Sequence, residues 1–162
     1  LDLADTDITG DSLRHLSTCR RLQALNLENC PLVVDSSTVH LAKLTGLRGL
    51  VLRKTGFEKE SITGEGLVQL SKLSQLQHLN LLATRIQDDT LVPLTQLKKL
   101  RSLNLGLTGL SNAGLVHLVE MTTLDELNLI GSRVTKAAIV ELAKALPYCK
   151  ISPHRIFPRS RR

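Results

Sequence analysis

The chain is poor in aromatic residues: one Tyr, two Phe and no Trp among 162 residues. Most globular cores mix aliphatic side chains with large rings, so this scarcity argues for a core built from one repeated aliphatic shape. Cys19, Cys30 and Cys149 cannot all pair, and none stands in C-x-x-C spacing. No N-x-S/T glycosylation site occurs, and no cysteine-rich segment brackets the chain. These absences point to a reducing, intracellular and cytoplasmic setting rather than to a secreted disulfide framework. No apolar run approaches the roughly 18 residues of a membrane span. H-E-x-x-H, G-x-S-x-G and phosphate-cradling glycine loops are missing too. The histidines, His15, His40, His78, His117 and His154, are scattered without a base or nucleophile in register. Neither catalysis nor a metal or cofactor is expected.

Acidic residues are absent from 147–162, where Lys150, Arg155, Arg159, Arg161 and Arg162 supply five of the six net positive charges. The rest of the chain is nearly neutral. The segment "SPHRIFPRSRR" holds two prolines and no apolar period, which argues against helix. Residues 152–162 read as a basic tail, either solvated or a contact for nucleic acid or an anionic surface. The neutral body and the lack of stacking rings count against nucleic acid as the main partner.

What the chain has in abundance is leucine, in a mixed rhythm. In "LRSLNLGLTGLSNAGLVHL", residues 100–118, Leu103 and Leu105 alternate with Ser102, Asn104 and Gly106, which is strand spacing. Leu115, Leu118 and then Met121 are three apart, on one side of a short helix. Thr108-Gly109 turns the chain, and Ser111 stands where a helix N-cap belongs. The same frame recurs as "LQALNLENC" from Leu22, "LRGLVLRKT" from Leu47, "LQHLNLLAT" from Leu76 and "LDELNLIGS" from Leu124. A clipped copy, "LDLADT", opens the chain, and successive full copies start 25, 29, 24 and 24 residues apart.

Six copies of L-x-x-L-x-L at this period resemble the leucine-rich repeat family, over at least residues 1–146. The short convex-side helices are similar to those of ribonuclease-inhibitor-type and F-box-associated repeats. The resemblance implies an α/β solenoid over residues 1–151, with six parallel strands on the concave face and short helices on the convex face. Because the chain starts without Met and in mid-repeat, further repeats or a cap are expected before residue 1, within a longer protein.

Columns across the copies carry structural expectations. Thr6, Cys30, Thr55, Thr84, Thr108 and Ser132 share a turn position where many such repeats place Asn to bond the next repeat; hydroxyls are expected to do the same. Thr9, Thr63, Ser111 and Thr135 are expected N-caps. Asp88 and Asp89 suit a helix N-terminus rather than a catalytic pair. Cys19 is expected in the buried helix-side column.

The outward residues of the strands are the candidate site. Asn26, Asn80, Asn104 and Asn128 recur at strand centres, as a mutual ladder or as donors and acceptors for a partner. Val51, Leu82 and Ile130 face the concavity with Arg53, His78 and Glu126 around them, an apolar centre with a polar rim. The longest gap holds an insertion, "FEKES", whose Phe57, Glu58 and Lys59 are candidates for a binding loop. The resemblance implies a monomeric protein-interaction module that binds another protein on its concave face. One alternative is the substrate-recognition arm of an F-box-type ubiquitin ligase. A third reading is contact with nucleic acid or an anionic surface through the tail.

Overall fold

The structure, a computed structural model, describes residues 1–56 and 61–152. Six three-residue strands, β1 (Ala24–Asn26), β2 (Gly49–Val51), β3 (His78–Asn80), β4 (Ser102–Asn104), β5 (Glu126–Asn128) and β6 (Lys150–Ser152), form one parallel sheet in chain order. The register aligns Leu25, Leu50, Leu79, Leu103, Leu127 and Ile151 in a single inward column. The convex face carries α1 (Gly10–Leu13), α2 (Thr38–Leu41), α3 (Gly64–Leu70), α4 (Leu115–Leu118) and α5 (Lys136–Ala145). In the fourth turn of the coil the helix is entirely 3-10, Asp88–Gln96, with Pro93 inside it. Pro93 has no N–H to give to an i→i−4 bond.

The number of strands agrees with the expectation, but their membership differs. The opening copy contributes only a bridge, Asp2 to Asn26. The sixth strand comes from Lys150–Ser152, where the leucine period had broken. Backbone pairing does not need leucine. The Lys150 N–H donates to the Asp125 carbonyl at 2.7 Å, as Asp125 does to Arg101 one turn earlier. The array therefore reaches Ser152, one residue beyond the end of the expected repeat domain.

Stacking explains why the repeats fold together. In the turn that starts at Leu100, seven inward residues, Leu100, Leu103, Leu105, Leu110, Leu115, Leu118 and Met121, are all buried. Each such leucine contributes about 1.5–3 kcal/mol. Ordering one turn alone costs more than that set returns, so adjacent turns must share their apolar faces.

Three expectations are corrected. Cys19 is exposed. Its N–H bonds the carbonyl of Leu16 as Leu44 bonds Leu41 and Leu73 bonds Leu70, so its column is three residues later than expected. No described turn covers its outer side. The hydroxyl column is buried beyond Thr6, yet it bonds within each repeat: Thr55, Thr84, Thr108 and Ser132 donate to the carbonyl three residues back at 2.6–2.9 Å. In this column the hydroxyl turns back to the carbonyl of its own turn rather than across to a neighbour. Cys30 does reach across, with Sγ 3.1 Å from the Leu3 carbonyl. The third correction concerns the turn after each strand, placed at Thr108-Gly109 from the sequence but already under way at Gly106-Leu107. Asp5, Asn29, Lys54, Ala83, Leu107 and Gly131 share one position with φ between 53° and 76°. Glycine takes this conformation freely and Asp and Asn do so at modest cost, whereas Lys54, Ala83 and Leu107 adopt it against their ordinary preference.

Helix starts are built in two ways. Where the N-cap is a hydroxyl, as at Thr63, Ser111 and Thr135, a polar side chain from the preceding turn also reaches it. Asp35 accepts from the Thr63 and Gly66 N–H groups at 2.8 and 3.0 Å and from the Thr63 hydroxyl. Asp88 accepts from the Ser111 N–H at 2.7 Å and hydroxyl at 2.5 Å, and Asn112 accepts from the Thr135 N–H at 2.9 Å. Where the N-cap is Val34 or Gln87, the third helical residue takes over: Ser37 and Thr90 hydroxyls accept the Val34 and Gln87 N–H at 3.1 Å. The preceding turn then offers a glycine. A Cβ on Gly10 would lie 2.6 Å from Ser37 Oγ, and one on Gly64 2.8 Å from Thr90 Cβ.

Candidate functional site

Along the concave face the sheet presents alternate residues, and small ones leave room. Ala24 and Gly49, beside Asn26, Val51, His78 and Asn80, line a shallow depression of about 500 Å³. A second hollow of about 310 Å³ lies toward the C-terminal end among Ser102, Asn104, Glu126, Asn128, Lys150 and Ser152. It is polar, with the Glu126 and Lys150 side chains exposed.

The asparagines do not bond one another. Each uses Oδ1 to accept the backbone N–H two residues on: Glu28 to Asn26, Leu82 to Asn80, Gly106 to Asn104 and Ile130 to Asn128, at 2.9–3.0 Å. This local bond orients the amide, because a flip would set NH₂ against N–H. Each Nδ2 is left to face the concavity, and among the described residues none of the four donates to protein. The row of Asn80, Asn104 and Asn128 is continuous in register, while Val51 separates it from Asn26.

The expected apolar centre is divided. Val51 belongs to the depression with His78, Asn80 and Asn104. Leu82 and Ile130 lie just past the strand ends, half-buried, on either side of Gly106. Leu82 Cδ1 is 3.4 Å from where a Gly106 Cβ would stand. Arg53, in the same row, is tied to Glu28 at 2.9 Å. Glu126 joins the second hollow rather than ringing Val51. Phe57, Glu58 and Lys59, and the tail from residue 153, lie outside the described residues. The sequence reading passed over Ala24 and Gly49 because they carry no chemistry, yet the space they leave makes the depression. Lys150 and Ser152 stand in the sequence as part of a basic C-terminal segment rather than a strand, because they lack the leucine frame.

Titration is perturbed away from this face. Partial burial pushes the Asp88 carboxyl up, but hydrogen bonds from Ser111 and Gly114 and the nearby His117 outweigh it and hold it below the ordinary value. Burial raises the Cys149 thiol, and the negative charges of Asp125 and Glu126 add to the shift. No group of three or more His, Cys, Asp or Glu among the described residues is placed to hold a metal ion. No described helix is long and apolar enough to cross a membrane.

This geometry, a parallel sheet coiled against short helices with leucine inside every turn, is that of the leucine-rich repeat fold. Solved structures share the fold. An internalin of Listeria monocytogenes matches 90% of this chain and 38% of its own at a TM-score of 0.68 and 20% identity. Internalin C2 of the same organism matches 94% and 79% at 0.56 and 18% identity. A leucine-rich repeat protein of Leptospira interrogans matches 85% and 38% at 0.55 and 20% identity. In sequence, the F-box/LRR-repeat protein 4 of Bos taurus is 41% identical over 63 residues, 39% of this chain. The chain spans about a tenth of that relative's length. No family model matches the chain.

Proposed function

We propose that the array is a protein-interaction module whose partner lies on the concave face, over the depression around Val51, His78 and Asn80. The observation that carries this reading is the row of oriented amide NH₂ groups. Asn80, Asn104 and Asn128 spend their oxygens on the turn and keep their donors for something outside the chain. Val51 and the open floor at Gly49 give a partner apolar contact beside those donors. Arg53, Leu82, Glu126 and Ile130 extend the surface to its rim. In this reading the module works inside the cell, where its three unpaired thiols stay reduced.

The test is affinity capture with the whole chain and two variants of equal charge change. Val51→Asp with Asn80→Asp alters the concave face; Val68→Asp with Val116→Asp alters the exposed valines of the convex helices. Proteins lost with the first pair and kept with the second support the reading. Retention by the concave pair overturns it.

The short match to an F-box/LRR-repeat protein favours a second reading: the repeats form the substrate arm of an F-box-type ubiquitin ligase. That predicts an F-box elsewhere in the same polypeptide and co-capture of ligase subunits with the full protein. Absence of both from the complete protein rules it out.

A further inference from the structure

The net charge of the body conceals a segregation by flank. The four turns that lead from the convex side into β1 to β4, residues 17–23, 42–48, 71–77 and 95–101, contain eight Lys and Arg and no Asp or Glu. The fold brings these turns side by side. The backbone N–H of Arg48 donates to Gln23, Gln77 to Arg48 and Arg101 to Gln77, at 2.7–2.8 Å. Lys99 Nζ bonds the Gln75 side chain of the adjacent turn at 2.6 Å. All eight cations are exposed. Of these eight, only Arg101 reaches a carboxylate of a described residue, Asp125, at 3.4 Å.

Helix dipoles account for part of this pattern. Lys43 and Lys72 follow the ends of α2 and α3, where a cation is favoured. Arg48, Lys99 and Arg101 stand beyond the helices, at the strand starts, where no helix end explains them. The patch is also bounded at its C-terminal end. In the next turn the same positions hold Glu120 and Asp125 and no cation. The four turns themselves span three strand spacings of about 4.8 Å, about 15 Å, or about four or five extended residues. A long polyphosphate chain would run onto Glu120 and Asp125. No described aromatic ring stands in those four turns to stack a base.

We infer that this flank is a second docking surface, separate from the concave face, for an acidic segment of a partner protein. Charge complementarity supplies attraction and orientation, and the acids at its C-terminal end stop the segment there and fix its register. A second copy of the chain is a poorer occupant. Among the described residues many of its acids lie on the opposite flank, where Asp35 and Asp88 already hold helix starts and Glu28 already holds Arg53, and Asp125 on this flank already holds Arg101.

The experiment titrates the whole chain against a fluorescein-labelled hexaglutamate peptide at low salt and follows anisotropy. Binding is expected, and it should weaken as salt rises to about 0.15 M. Arg48→Glu with Lys99→Glu should weaken it by about tenfold or more. Two control pairs carry the same charge change: Arg85→Glu with Arg133→Glu on the opposite flank, and Arg159→Glu with Arg161→Glu in the tail. Each should leave the affinity within about twofold. Equal loss in either control overturns the assignment, as does absence of binding by the unaltered chain. Tighter binding of a six-residue oligothymidylate means a phosphate ligand instead. Salt-sensitive self-association by sedimentation, competed by the peptide, means a second copy. Far-UV circular dichroism confirms that every variant is folded.

Discussion

The two flanks of the solenoid differ less in their number of charges than in what those charges do. On the flank where strands run out toward helix starts, four described carboxylates are bonded inside the molecule. Asp5 accepts from Asn29 at 2.7 Å, Glu28 pairs with Arg53, and Asp35 and Asp88 bridge to the next turn. Asp11 and Glu65 sit in first helical turns. On the flank where helices run back into strands, the cations point to solvent and bond mainly side-chain amides. One flank is structural; the other keeps its charge available. A count of residues treats them alike, and only the direction of each side chain separates them.

Both flanks rest on the leucine core, which sets the largest effect. Leu103→Ala should cost about 2–5 kcal/mol by leaving a cavity, measured as a fall in the urea midpoint. A change below about 1 kcal/mol would break the register on which the comparison depends.

On the acidic flank, Asp35→Gly should cost about 2 kcal/mol, because it strips a charged acceptor from Thr63 and Gly66. Gly66→Thr should cost a similar amount, since its Cβ would press on the Asp35 carboxylate. Together the two changes reproduce the Gly64 and Thr90 arrangement of the next interface. The double variant should therefore be more stable than the sum of the single losses by about 1 kcal/mol or more. Strict additivity would show that the two kinds of helix start are not alternatives.

Asp88 gives the acidic flank a pH signature. Its carboxyl titrates below the ordinary value in the folded protein, so the unfolded chain binds its proton first. The stability it supplies is complete above about pH 4, near the unfolded value. It is lost as pH falls through the lower folded value. Asp88→Asn should flatten the acid limb of the unfolding midpoint against pH and leave its slope above pH 5 unchanged. An unchanged acid limb would sever the Ser111 bridge from stability.

The smallest effect belongs to the basic flank. Arg48→Ala and Lys99→Ala should each change stability by no more than about 0.5 kcal/mol, even where they abolish peptide binding. A loss above about 1 kcal/mol in either would make that flank structural too and erase the contrast.

Much of this was legible in the residues. The Leu103 and Leu105 alternation, the three-residue steps to Met121, and the N-caps at Thr9, Thr63, Ser111 and Thr135 all reappear in the structure. Those signals are local, since a period or a cap needs only its own few neighbours. β6 escaped because Ile151 and Ser152 stand outside the leucine frame, although parallel pairing asks only for backbone. The concave candidates were named as residues, but the depression belongs to Ala24 and Gly49, whose contribution is the volume they do not fill. Cys19 was misplaced because a three-residue shift keeps helical rhythm and changes the column.

By itself the sequence determined the kind of coil, since an apolar frame every 24 to 29 residues can be buried only by stacking copies. It also determined which side chains turn inward along each strand. Tertiary structure alone decided how neighbouring turns interlock: Asp35 against Gly66, Gly64 against Thr90, Asp88 against Gly114. It decided too that eight cations from four separate segments share one flank. Such pairings join residues about a repeat apart, and each depends on the distance between side chains in adjacent turns, a quantity that exists only once the coil has closed.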